Sequence, residues 1–126
     1  MSTASPAAPL LLGLALLGAC SSDIDPERER VCRRVLPTLV AEGGSVRVLG
    51  AAAGREPRSI RMDFVEQRPG RPPVTRWAVC RFSEMSRTDL SGVISDRGPV
   101  GGAALYLLKR YYLDTPDAVA AEPGPG

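Results

Sequence analysis

Apolar residues recur at helical spacing in the first part of the chain. Val31, Cys32, Val35, Leu36, Leu39 and Val40 form one stripe. Asp25-Pro26 ahead of them reads as an N-cap followed by a proline at the first helical position, and Glu27 and Glu29 suit the first turn. Pro37 removes a backbone donor, so a break near Leu36 is expected, and Gly43-Gly44 ends the element. The period then changes to two. Val46 and Val48 oppose Arg47 over residues 45–52. Over residues 59–68, Ile60, Met62 and Phe64 oppose Arg61, Asp63 and Val65. Residues 69–73, Pro-Gly-Arg-Pro-Pro, are a hairpin loop. Over residues 74–82, Ala78, Cys80 and Phe82 face one way and Trp77, Val79 and Arg81 the other. A weaker strand over 89–95 places Leu90 and Ile94 on one side. Helical spacing returns after Pro99 with Val100, Ala103, Ala104, Leu107, Leu108 and Tyr111 as the stripe. Leu105, Tyr106, Tyr112 and Leu113 lie off it, so this helix is apolar on more than one face. From Asp114 onward the prolines, glycines and small residues predict a disordered tail. The pattern predicts an α+β fold: N-terminal helix, four-stranded antiparallel meander, C-terminal helix, with both helices packed on one sheet face.

Ahead of this domain, Pro9 to Ala19 is an uncharged, mostly apolar run. It is too short for the roughly 20 residues that a membrane-spanning helix needs and suits the apolar core of a signal peptide. Leu17-Gly18-Ala19-Cys20 directly behind it resembles the lipobox of bacterial lipoprotein precursors. Met1 to Ala8 departs from such leaders in carrying no Lys or Arg. The resemblance implies removal of residues 1–19 and acylation of Cys20, which becomes the mature N-terminus and anchors the chain to a membrane facing the periplasm. It also implies that Ser21, standing where an Asp would favour inner-membrane retention, points to the outer membrane. Residues 20–25 are then a tether whose five extended steps reach about 18 Å at most, residues 26–113 are the domain, and residues 114–126 are the tail.

A domain this small buries a modest share of its surface, so a covalent cross-link matters to it. With Cys20 set aside for lipid, Cys32 and Cys80 remain, each on the apolar side of its element. In an oxidising compartment they are expected to form a disulfide; free buried thiols or an active redox or metal pair are the alternatives. The spacing is not Cys-x-x-Cys, and the chain has no His to complete a zinc site. Closing a loop of about 49 residues contributes about 4 kcal/mol on the chain-entropy model.

The absence of His also removes the commonest general base and metal ligand, so neither enzyme activity nor a cofactor or metal is expected. Asp63, Glu66, Glu84, Asp89 and Asp96 show no spacing that selects a catalytic pair. Gly98 to Gly102 lacks the Lys and Ser/Thr of a phosphate loop and reads as a helix cap. A net charge of +2 gives no ground for nucleic-acid binding. Arg28, Arg30, Arg33 and Arg34 on the first helix are either a solvated face or a contact for acidic headgroups. Trp77 and Val79, together with Tyr106 and Tyr112, are the candidate partner surface. The leading expectation is a non-enzymatic accessory or assembly protein that docks on a membrane-associated envelope protein. The alternative is a small module binding an anionic lipid headgroup or glycan through Arg47, Arg61 and Arg76.

Overall fold

Asp25 caps the first helix as its sequence demands: its side chain accepts a hydrogen bond from the Glu27 N–H at 2.9 Å, and Pro26 occupies the first turn. The structure is a computed structural model that describes residues 24–125, so Cys20, its lipobox and most of the expected tether lie outside the described residues. Helix α1 spans Pro26–Val35, after which Pro37 tightens the chain into a 3-10 turn over Leu36–Leu39. Gly43 then adopts a positive φ of 83°, open to glycine without strain, in the turn that leads into the sheet.

Five antiparallel strands follow in the order of the chain: β1 Ser45–Ala53, β2 Ser59–Gln67, β3 Val74–Phe82, β4 Leu90–Ser95 and β5 Gly98–Pro99. The fifth strand goes beyond the four expected and is only two residues long. It pairs Gly98 with Ser95 and Pro99 with Ile94 across the tight turn at Asp96 and Arg97, where Gly98 has φ 108°. Helix α2 is Gly102–Tyr111 and helix α3 is Pro116–Ala121.

One face of the sheet meets the helices. Cys32, Val35 and Leu36 are fully buried against Val48, Ile60, Met62, Phe64, Ala78, Cys80, Phe82, Leu90 and Val93. A disulfide joins Cys32 to Cys80, with the two Cα atoms 5.9 Å apart, and ties α1 to the central strand β3 through the middle of this core.

Three expectations need correction. Ile94 does not share a side with Leu90. The register between β3 and β4 shifts so that Phe82 pairs with Leu90 and Arg81 with Gly92, leaving Ser91 as an extra residue; Val93 therefore turns inward and Ile94 outward. The inward side of α2 follows the stripe read from the spacing only in part. Val100 and Leu108 of that stripe pack against the core, joined by Leu105 and Tyr112 from off it, while Leu107 and Tyr111 point to solvent. Residues 116–121, placed in a structureless tail, form α3. Thr115 supplies the N-cap oxygen to the Ala118 N–H at 3.2 Å, Pro116 starts the helix, and Ala118 is fully buried. Glu122 then reaches back to α1, 2.8 Å from Arg34 Nε and 3.3 Å from Arg33 Nη2.

Candidate functional site

Helix α2 is ten residues long and buries none of them. Its inward side touches the core only through the half-buried Leu105 and Leu108. Its outward side carries Tyr106, Leu107 and Tyr111, which are 60%, 54% and 65% exposed. Arg110 lies on the same side, its guanidinium 5.8 Å from the Tyr111 ring centroid. A packed helix normally hides its large apolar side chains, so three of them outward on three turns make an unpartnered surface. Lys109 anchors the helix by an ion pair of 2.8 Å to Asp89, the residue before β4. That contact and the Ser83 hydroxyl hold the Asp89 carboxyl below its ordinary pKa.

The second surface is the outer face of the sheet, on which no helix packs among the described residues. Trp77, Val79 and Ile94 sit there half-buried among their neighbours, with Val79 paired to Ile94 across β3 and β4. The Arg61 guanidinium lies 5.0 Å from the Trp77 ring centroid and 3.1 Å from Asp63. Of the four residues expected to form a partner surface, Trp77 and Val79 therefore lie on this face, Tyr106 on the outer side of α2, and Tyr112 against the core. The structure does not bring the four together. Leu107 and Tyr111 are more exposed than Tyr112, and sequence spacing missed them because it assigned them to the core.

The arginines are also redistributed. Arg76 is one of the most deeply buried side chains, its guanidinium enclosed at the end of the core by Glu66 Oε1 at 3.0 Å, Asp96 Oδ1 at 3.1 Å, the Leu39 carbonyl at 2.7 Å and the Phe64 ring. It is on the opposite side of the sheet from Arg47 and Arg61, so those three form no common surface. Parity could have shown this: Arg76 alternates with Ala78 and Cys80, and Glu66 with Phe64 and Met62, so two opposite charges occupy inward positions of paired strands. Burial pushes the Glu66 carboxyl up, but the Ala41 N–H, Arg76 and Arg97 outweigh it and hold the group below its ordinary value.

On α1, Arg28 donates to the Arg87 carbonyl at 2.6 Å and lies over Phe82. Arg33 is buried between Glu29 and Glu122, and Arg34 pairs with Glu122; of the four, Arg30 is exposed. They are neither one solvated face nor one headgroup contact. At the start of the helix, the Arg87 guanidinium bonds Asp25 and lowers its carboxyl to about 2, with the Glu27 and Arg28 N–H groups acting in the same direction against burial. The other carboxylates considered for catalysis are each beside a cation: Asp63 with Arg61, Glu84 with Arg58, Asp96 with Arg76. Gly101 is the N-cap of α2, as a capping role for residues 98–102 required. Among the described residues, no helix is long and apolar enough to cross a membrane and no acidic or cysteine cluster is arranged to hold a metal. No protein-family model, curated protein or solved structure matches the chain.

Proposed function

We propose that this chain is a lipid-anchored protein of the bacterial envelope, held by an acyl group on Cys20, with no catalytic role of its own. It acts as an accessory or assembly factor, docking on a membrane-associated protein through the outer side of α2. The periplasm-facing side of the outer membrane, favoured by Ser21, is its expected place. The observation that carries the docking reading is the exposure of Tyr106, Leu107 and Tyr111 on a helix that buries no residue. Aromatic side chains with an adjoining Arg are the residue types that dominate binding energy at protein interfaces, because they bring large rigid area with a polar handle. A short tether keeps such a surface at the level of other membrane proteins.

Two measurements test the two halves separately. Mass spectrometry of the mature N-terminal peptide should find fatty acid on Cys20; an intact Met1 or an unmodified cysteine would remove the anchor. A photo-crosslinking residue at position 107 in intact membranes should capture one defined protein. Loss of that product in the Tyr106→Asp, Tyr111→Asp double variant is the expected outcome. An unmodified species at every position tested on α2 would remove the docking surface.

A further inference from the structure

We propose that the notch among Arg68, Arg71 and Arg97 is a binding site for a single phosphate group. The notch, of about 150 Å³, opens where the β2–β3 loop meets the β4–β5 turn, and Glu66, Pro72 and Val74 complete its walls. Its charge does not balance. Arg76, Arg68 and Arg97 all converge on the one Glu66 carboxylate, at 3.0, 3.8 and 3.5 Å, and Asp96 is the only other acid in the group, held by Arg76. Arg71 pairs with no carboxylate among the described residues, and Glu42, exposed in the turn before β1, pairs with none of these arginines. Four guanidinium groups thus face two carboxylates, which leaves two positive charges uncompensated.

A phosphate monoester carries about −1.5 to −2 at neutral pH and presents three acceptor oxygens, which matches that excess. Arginine is the side chain suited to it, since its planar fork donates two parallel hydrogen bonds to an oxyanion. The long contacts of Arg68 and Arg97 to Glu66 are the loose members of the cluster: both side chains are at least a third exposed, whereas Arg76 is sealed in and bonded on every side. Arg68, Arg71 and Arg97 are therefore free to turn to an incoming anion while the Arg76 pair keeps the floor of the notch fixed.

The notch lies at the far end of β2 from Asp25 and the β1–β2 loop, about 27 Å along nine residues of strand. On the reading that Cys20 holds the chain to a bilayer, the notch stands at the end of the domain opposite the anchored end, which favours the phosphate of a soluble compound over a headgroup. The binding site itself is independent of that reading.

Calorimetric titration of the purified full chain with inorganic phosphate, at constant ionic strength with chloride as reference, tests the proposal. Saturable one-to-one binding is expected, weakened about tenfold by Arg71→Ala and further by Arg71→Ala with Arg97→Ala, the loss of a charge-assisted hydrogen bond being of that order. Arg55→Ala, in the distant β1–β2 loop, should bind as the parent does. Absence of saturation, or an affinity unchanged in a folded Arg71→Ala, Arg97→Ala variant, would overturn the site. Phosphatidic acid vesicles should bind with no dependence on these two arginines; vesicle binding lost in the double variant would overturn the assignment to a soluble phosphate and give the notch to a headgroup.

Discussion

Arg76 Nη1 stands 3.0 Å from Glu66 Oε1, with both side chains almost wholly removed from solvent at the end of an otherwise apolar core. The pair joins β3 to β2 and, through the Leu39 carbonyl and the Ala41 N–H, fastens the segment that follows α1. Removing Arg76 leaves the buried Glu66 carboxylate with the looser, more exposed Arg97 and Arg68, at 3.5 and 3.8 Å. Arg76→Ala is therefore expected to destabilise the fold by about 3 kcal/mol, the low end of what breaking a buried ion pair costs. The double variant Arg76→Met, Glu66→Leu should recover much of that loss. Urea unfolding of the three proteins gives both numbers, and a cost for Arg76→Ala below about 1 kcal/mol would show that the pair is effectively solvated.

The disulfide acts on the same domain through the unfolded state. It links α1 to the centre of the sheet across 48 positions of chain. Replacing Cys32 and Cys80 together by Ala should lower stability by about 4 kcal/mol if the entropy of the open chain dominates, and the same shift should appear in the parent under reducing conditions. Both side chains are fully buried in the core, so a reductant should act on the folded protein far more slowly than on the unfolded one.

Acid should unfold this protein through a small set of carboxylates. Asp25, Glu66 and Asp89 are all held below their ordinary values, by Arg87, by the Ala41 N–H with Arg76 and Arg97, and by Lys109 with Ser83 respectively. A group whose folded pKa is depressed binds its proton more readily in the unfolded chain. Its contribution is therefore complete above the unfolded value and lost as pH falls through the folded one. For Asp25 that window runs from 3.8 down to about 2. Unfolding midpoints measured from pH 6 to pH 2 should be flat at first and then fall. Asp25→Asn, which keeps an N-capping oxygen but has no charge for Arg87, should show a shallower fall.

The elements that local chemistry dictates were legible in the chain. Asp25-Pro26 starts α1, Pro37 breaks it, and alternation places Ile60, Met62 and Phe64 opposite Arg61 and Asp63. Legibility failed where a side is chosen by something other than period. The extra residue at Ser91 inverts the strand beyond it, and no alternation of Leu90 with Ile94 reveals an insertion that only the partner strand defines. In α2 apolar residues surround the axis, so spacing offers several stripes and packing against β4 and the core selects among them. The prolines after Asp114 predict a tail, although Thr115-Pro116-Asp117 is a helix start by the same rules that identify α1.

That third helix makes its own prediction. Glu122 meets Arg33 and Arg34, and Ala118 is buried beside α1, so residues 115–122 cover part of the first helix. Thr115→Ala should cost about 1 kcal/mol by loss of the cap. Truncation after Asp114 should cost more, because it also leaves the buried Arg33 guanidinium with Glu29 alone. Equal thermal midpoints for the parent and the truncated protein would show that α3 adds nothing to the fold.

Stability and docking should separate on α2. Leu107 and Tyr111 contribute little to the core, since each keeps more than half of its surface in solvent, whereas Leu108 packs inward on the same helix. Leu107→Glu and Tyr111→Glu should change unfolding free energy by no more than about 0.5 kcal/mol, the range of ordinary surface substitutions. Leu108→Ala, which removes a partly buried side chain, should cost measurably more. A surface needed only for folding would give the reverse order. A surface kept for a partner should lose the product crosslinked from position 107 in Tyr111→Glu while the protein melts at the parent temperature, and Leu108→Ala should keep that product as long as it remains folded.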